Sequence, residues 1–203
     1  MTILEVCLDD LAGALTAERS GAHRIELCAA LDDGGITPSV GTVTTVLASL
    51  TSMTVMVLIR QRGGDFVYSP AEVDAMVADI TAIRSLPRAD GVIVGFVIGA
   101  LTADGTIDEA ATTALLAACE EHPVTFHKAF DLTVDQPKAL ETLIELGVAR
   151  VLTSGVTELH FRAPATVPSH GFQGGASALY DSGTRTVTSA ALVREMRAVV
   201  DAS

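Results

Sequence analysis

Residues 54–94 read TVMVLIRQRGGDFVYSPAEVDAMVADITAIRSLPRADGVIV. The run at 54–59 is apolar and rich in β-branched residues, which suits a strand. A loop with two adjacent glycines fills 60–68. Ser69-Pro70-Ala71-Glu72 then places a capping hydroxyl, a proline at the first helical position and an acid in the first turn. Val73, Met76, Val77, Ile80 and Ile83 follow at the spacing of a helix with one buried face. Residues 91–94, GVIV, are strand-like again. Both strands are apolar on both faces, as expected when helices cover a parallel sheet. The stretch predicts one strand–helix–strand unit.

The same alternation extends in both directions. Strands are expected at 3–7, 24–28, 54–59, 91–94 (continuing through 96–98), 123–127 and 150–153, with a helix in each of the five intervals. Asp10 is placed to cap the first helix and Gly21 to end it. Pro38 stands where the second helix begins, with Val43, Val46, Leu47 and Leu50 as its apolar face. Helices are further expected at 108–119 and 136–146, the latter ended by Gly147. Single-file alternation favours a parallel sheet, either closed as a (β/α) barrel or open and doubly wound.

The alternation fails at RVLTSGVTELHF, residues 150–161. Two strand-like pieces are separated there by Ser154, Gly155 and Val156. Parallel neighbours need a crossover of about a dozen residues or more. The pieces therefore form one bent strand or a hairpin, or a segment between them is missing. Residues 162–185 are small, polar and rich in Gly and Pro, and read as irregular. A last helix is expected at about 189–201. No repeat or linker divides the chain, so residues 1–203 are expected to form a single domain.

Composition narrows the function classes. Of 203 residues, 49% are hydrophobic and the mean hydropathy is +0.43, which excludes a disordered chain. The net charge of −12 disfavours nucleic acid and anionic membranes as partners. The longest apolar run, 91–101, is too short to span a bilayer. The opening MTILEVC carries no basic leader, and Cys7, Cys28 and Cys119 are an odd set. Both features point to a reduced, cytoplasmic protein.

Residues two apart on a strand share a face. Glu5 and Cys7 therefore point together, as do Glu26 and Cys28 on the next strand. Under helical cover the glutamates have only the barrel interior or its rim to occupy. They either form ion pairs with Arg24, Arg60 or Arg62, or serve a site. Arg60 and Arg62, followed by Gly63, Gly64 and Asp65, suit bidentate capture of a carboxylate or phosphate. A simpler reading makes them turn residues paired to Asp65 and the strand glutamates. His127 closes the fifth strand, with Asp131 near enough to orient its imidazole, and Glu158 and His160 share a face on the last strand. Cys7 and Cys28 become neighbours if the first two strands pair in register. Two soft thiolates there fit Cu(I), whereas plain packing needs no ligand. Cys119 reads as core, and His23, His122 and His170 receive no role.

These residues fall within longer matches. LEVC at 4–7, RIELC at 24–28, GGITPS at 34–39, IRQRGGDFVYS at 59–69, GALTADG at 99–105, VTFHKAFD at 124–131, ALETLIELGVARVLTSG at 139–155 and ELH at 158–160 resemble the CutC family of copper homeostasis proteins. The resemblance implies a TIM-like barrel, a cytoplasmic location, a homodimer and a role in copper handling through cysteine-bound Cu(I). It places the family's polar barrel positions on Glu5, Cys7, Arg24, Glu26, Cys28, Arg60, Arg62, Asp65, His127, Asp131 and His160. Gln61 stands where the family usually has proline, and Lys128 where it usually has arginine. After LTSG the family runs through helix, strand and helix before ELH, and that unit is absent here. The expected fold is thus an α/β, TIM-like (β/α) barrel lacking the helix–strand–helix unit around its seventh strand.

Two functions follow as expectations. In one, Cys7 and Cys28 hold copper. In the other, a barrel enzyme acts on a small anionic molecule, with Arg24, Arg60, Arg62 and Asp65 binding it and Glu5, Glu26, His127, Asp131 and His160 serving acid–base chemistry. A degenerate barrel without activity is the third reading.

Overall fold

Period-two burial decides which way each strand faces. The computed structural model describes residues 3–153, 159–162, 164–168 and 184–201. In β1 (Leu4–Leu8), Val6 and Leu8 pack under the helices, while Cys7 belongs to a separate interior cluster. In β2 (Arg24–Leu27) and β3 (Thr54–Leu58), Ile25, Leu27, Val55 and Val57 face outward into the helical layer. Met56 and Leu58 join Cys7, Cys28 and Val97 inside. β4 (Ile93–Ile98), β5 (Val124–Phe126) and β6 (Arg150–Val151) continue the sheet.

The helices α1 (Leu11–Arg19), α2 (Val40–Ser49), α3 (Pro70–Arg84), α4 (Glu109–Cys119) and α5 (Gln136–Glu145) fill the intervals between strands. Local chemistry sets their starts. Asp10 accepts the Gly13 N–H at 2.8 Å, and Ser69 and Glu72 form a reciprocal capping box with Pro70 in the first turn. The start of α2 differs from the sequence reading. Ser39 caps it by accepting the Thr42 N–H at 3.1 Å, and Pro38 lies outside the helix. The outer core joins Val43, Val46 and Leu47 of α2, Met76, Ile80 and Ile83 of α3, and Leu115 and Cys119 of α4 to the outward strand residues. Cys119 is core, as its position predicts.

All strand pairs in the main sheet are parallel, in the order β6-β5-β4-β3-β2-β1-β7, with β7 at Leu159–Arg162. This is a curled parallel sheet of the TIM-like kind. Because β6 and β7 lie at opposite edges of the sheet, residues 150–161 are neither one bent strand nor a hairpin. Among the described residues no strand bridges those two edges, which is where a seventh barrel strand would stand.

The stretch expected to be irregular, 162–185, contains a strand. β8 (Pro164–Pro168) pairs antiparallel with β9 (Thr184–Thr188), pairing Pro164 with Thr188 and Pro168 with Thr184. Prolines at the ends of a two-stranded ribbon are compatible with strand pairing, because such a ribbon has only edges. The chain ends in α6 (Ala190–Asp201), close to the expected helix.

Candidate metal centre

The parallel register of β1 and β2 brings the two cysteines together. Glu5 lies opposite Arg24 and Cys7 opposite Glu26, so Cys28 sits one interior position beyond. The Cys28 N–H donates to the Leu8 carbonyl at 2.9 Å, extending the pairing past the end of β2. The Cys7 and Cys28 Sγ atoms stand 3.7 Å apart, both buried. Ligand atoms of Cys7, Glu26 and Cys28 all lie within 4.8 Å of one another. Its surroundings push the Cys28 thiol well above its ordinary pKa. The largest effect is the hydrogen bond with Cys7, followed by burial and then the Glu26 carboxylate.

Deeper in the interior, Arg24 forms a buried ion pair with Glu5. That is the structural pairing the sequence left open for this glutamate. It withdraws both residues from the dithiol, and neither lines the cavity described next.

Beyond the sulfurs opens a cavity of about 370 Å³, lined among others by Cys7, Glu26, Cys28, Arg60, His127 and Lys128. Arg60 is fixed from both ends. Its N–H donates to the Thr37 hydroxyl at 2.8 Å and its carbonyl accepts the Thr37 N–H at 2.9 Å. Its Nη1 donates to the carbonyls of Gly34 and Gly35 at 3.0 and 2.9 Å, and its Nη2 to that of Gly64 at 2.8 Å. The guanidinium lies 4.8 Å from the centre of the Phe66 ring.

Arg62 does not join it. Its Nε donates to Glu72 at 2.6 Å, its Nη1 to Asp65 at 3.1 Å and its Nη2 to the Val67 carbonyl at 2.9 Å. Glu72, held by the Ser69 N–H and then by Arg62, has its carboxyl lowered to about 2. The expected two-arginine clamp is therefore a single arginine at the cavity, while Arg62 and Asp65 brace the loop against the start of α3. That matches the simpler turn reading for Arg62.

His127 is buried and packs at 4.7 Å from Phe66, centre to centre. Gly99 makes room for it, since a Cβ there would collide with the imidazole. Its Nδ1 accepts the Ala129 N–H at 3.2 Å, and its Nε2 is buried without a hydrogen-bond partner. Burial, and then the charge of Arg60, lowers its pKa to about 3. Its ring is thus neutral at physiological pH, with the proton on Nε2.

Asp131 does not orient this imidazole. The chain turns directly into a 3-10 turn at Lys128–Leu132, and the Asp131 carboxylate accepts the Thr153 hydroxyl at 2.6 Å. His160 is placed on β7 opposite Glu5 by backbone register, whereas Glu158 lies outside the described residues. His23 accepts the Leu4 N–H at 2.8 Å, consistent with a structural part.

Sequence reasoning missed Phe66, which touches both Arg60 and His127, and gave Lys128 no role in the site. A lone aromatic after a glycine pair was the available signal for Phe66. Lys128 was signalled only by its place directly after the histidine.

Comparison with known proteins identifies the family. A family model described as the CutC family matches residues 2–166. The human "Copper homeostasis protein cutC homolog" is 51% identical over 153 residues, which are 75% of this chain and 54% of that protein. A family protein CutC from Bacteroides thetaiotaomicron is 49% identical over 151 residues, 74% of this chain and 59% of its own. A crystal structure of a CutC protein from Streptococcus agalactiae superposes with a TM-score of 0.68 at 35% identity, covering 77% of this chain and 74% of the other. The chain spans somewhat more than half the length of the curated relatives it matches. With the family model covering most of its length, the chain belongs to the CutC family of copper homeostasis proteins.

Proposed function

We propose that this chain binds Cu(I) between the sulfurs of Cys7 and Cys28, as part of copper handling in a reducing cytoplasm. The observation that carries the reading is the pair of buried thiols 3.7 Å apart on the wall of a cavity. Soft thiolates select Cu(I), which accepts a low coordination number, whereas structural zinc takes four ligands. Glu26 is the remaining member of the group within 4.8 Å, and its hard carboxylate is a poor partner for Cu(I). Binding must release the thiol protons, so affinity rises with pH. Among the described residues no helix is long and apolar enough to cross a membrane. The homodimer implied by the family is proposed with this reading, and light scattering of the purified chain tests it.

The enzyme reading keeps one supporting observation, the unpartnered Nε2 of His127 beside Arg60 in one cavity. The chemistry of that histidine favours binding over proton transfer. With Nδ1 occupied by the Ala129 N–H and a pKa of about 3, it is a hydrogen-bond donor and a weak base. Competition of reduced protein against a chromophoric Cu(I) chelator tests the copper reading. One copper per chain is expected, and Cys7→Ser or Cys28→Ser should each weaken binding more than the roughly 10–100-fold that loss of an outer partner costs. Unchanged affinity in both variants would sink it.

A further inference from the structure

The cavity is far larger than a metal ion needs. At about 370 Å³ it falls in the range of clefts that hold small organic molecules. The dithiol occupies only part of its wall, and the remainder has a definite chemistry.

Arg60 is 7% exposed, and the three acceptors of its guanidinium are neutral backbone carbonyls. Among the described residues no carboxylate pairs with it, so its positive charge stays available to the cavity. His127, 6% exposed, brings an Nε2 without a partner. Because Nδ1 is an acceptor toward Ala129, that Nε2 carries the proton and is a buried donor lacking an acceptor. Lys128 adds a second cation where the cavity meets solvent. Leu31, Leu58 and Phe66 add apolar wall, and the carboxylate of Glu26 stands with the two cysteines.

A guest that matches this lining has a soft sulfur for the dithiol end, an anionic group for Arg60, His127 and Lys128, and a short carbon body between. We propose that the cavity binds a low-molecular-weight thiol bearing a carboxylate, and that this molecule delivers Cu(I) to the Cys7–Cys28 pair. The inference rests on the copper reading and adds the identity of the donor.

The transfer is a ligand exchange without change of oxidation state. Cu(I) held by two carrier thiolates forms a CuS2 core with one net negative charge, and each carrier's carboxylate adds one more. Two Cu–S bonds to the carrier break and two to Cys7 and Cys28 form. Each departing carrier thiolate leaves as a thiol, taking the proton that a cysteine gives up. The dicysteine complex keeps the single negative charge.

The experiment compares two Cu(I) donors, mercaptoacetate, which carries the carboxylate, and 2-mercaptoethanol, which does not. Uptake by the reduced full chain is followed through Cu(I)–thiolate absorbance, and the ratio of the two rates is compared between wild type and variants, which cancels the intrinsic reactivity of each donor. The ratio should fall about tenfold in Arg60→Gln, the worth of one charge-assisted hydrogen bond, and a few-fold in Lys128→Gln. Lys128 is exposed, so its variant carries the test if Arg60→Gln fails to fold. A copper-free measurement accompanies it. (Methylthio)acetate, a carboxylate whose sulfur is capped as a methyl thioether, should bind the reduced apoprotein and shift the His127 ring resonances, with weaker binding in Lys128→Gln. If Cys7 and Cys28 bind Cu(I) but the rate ratio is the same in wild type and variants, the donor proposal is overturned alone. If neither donor loads the dithiol, the copper reading falls and the proposal with it.

Discussion

Acid should destabilise this fold in a way that one residue dominates. His127 is buried, and its pKa is lowered from 6.5 to about 3. In the unfolded chain the imidazole takes up a proton as pH falls through 6.5, while in the folded chain it stays neutral. The unfolded state therefore binds more protons between those two values, and stability is lost as pH falls from 6.5 toward 3. The slope is about 1.4 kcal/mol per pH unit once the unfolded histidine is charged. Going from pH 6.5 to 4.5 should remove about 2–3 kcal/mol through this residue alone, a large part of the ~5–15 kcal/mol that holds a typical domain folded. Urea denaturation of wild type and His127→Gln at half-unit steps over this range isolates the effect. Carboxylates contribute alike to both proteins, so the difference between the curves reads His127. The variant should show a slope shallower by about 1 kcal/mol per pH unit. Parallel curves would refute the claim that a neutral, buried imidazole lines the cavity.

Two further perturbations probe the interior. Gly99→Ala should drive the imidazole from its slot, at about 1–3 kcal/mol for the overpacking, and the His127 ring should then titrate closer to 6.5 in an NMR pH series. Arg24→Met strips the buried Glu5 carboxylate of its arginine and should cost about 3–5 kcal/mol in denaturant, while the double variant Glu5→Gln/Arg24→Met should regain much of that loss.

The sequence carried the fold at the level where local rules act. The capping box at Ser69–Glu72 and the 3.6-residue spacing in α3 depend only on near neighbours, and both appear as expected. Period-two alternation likewise put Cys7 and Glu5 on one face and Cys28 and Glu26 on one face. Strand pairing then brought the thiols together. The alternation lost its force where strands end. Arg60 and Arg62 are two apart, yet the chain is already turning at Gln61, so one side chain faces the cavity and the other meets α3. Asp131 was misjudged for a related reason. Four residues of extended chain and four of 3-10 turn put a carboxylate in different places, and here it meets Thr153. The β8–β9 ribbon was illegible because its prolines and small polar residues carry no apolar alternation to read.

The interruption between β6 and β7 has a bearing on how this protein avoids sticking to itself. A closed barrel offers no unpaired backbone, but a parallel sheet that ends at two strands presents a row of amides and carbonyls on each side. Such rows recruit other chains, and natural sheets blunt them by keeping the outermost strands short. β6 spans only Arg150–Val151. Among the described residues the sheet offers only a two-residue ladder on that side, so brevity does part of the protective work that closure does in a complete barrel.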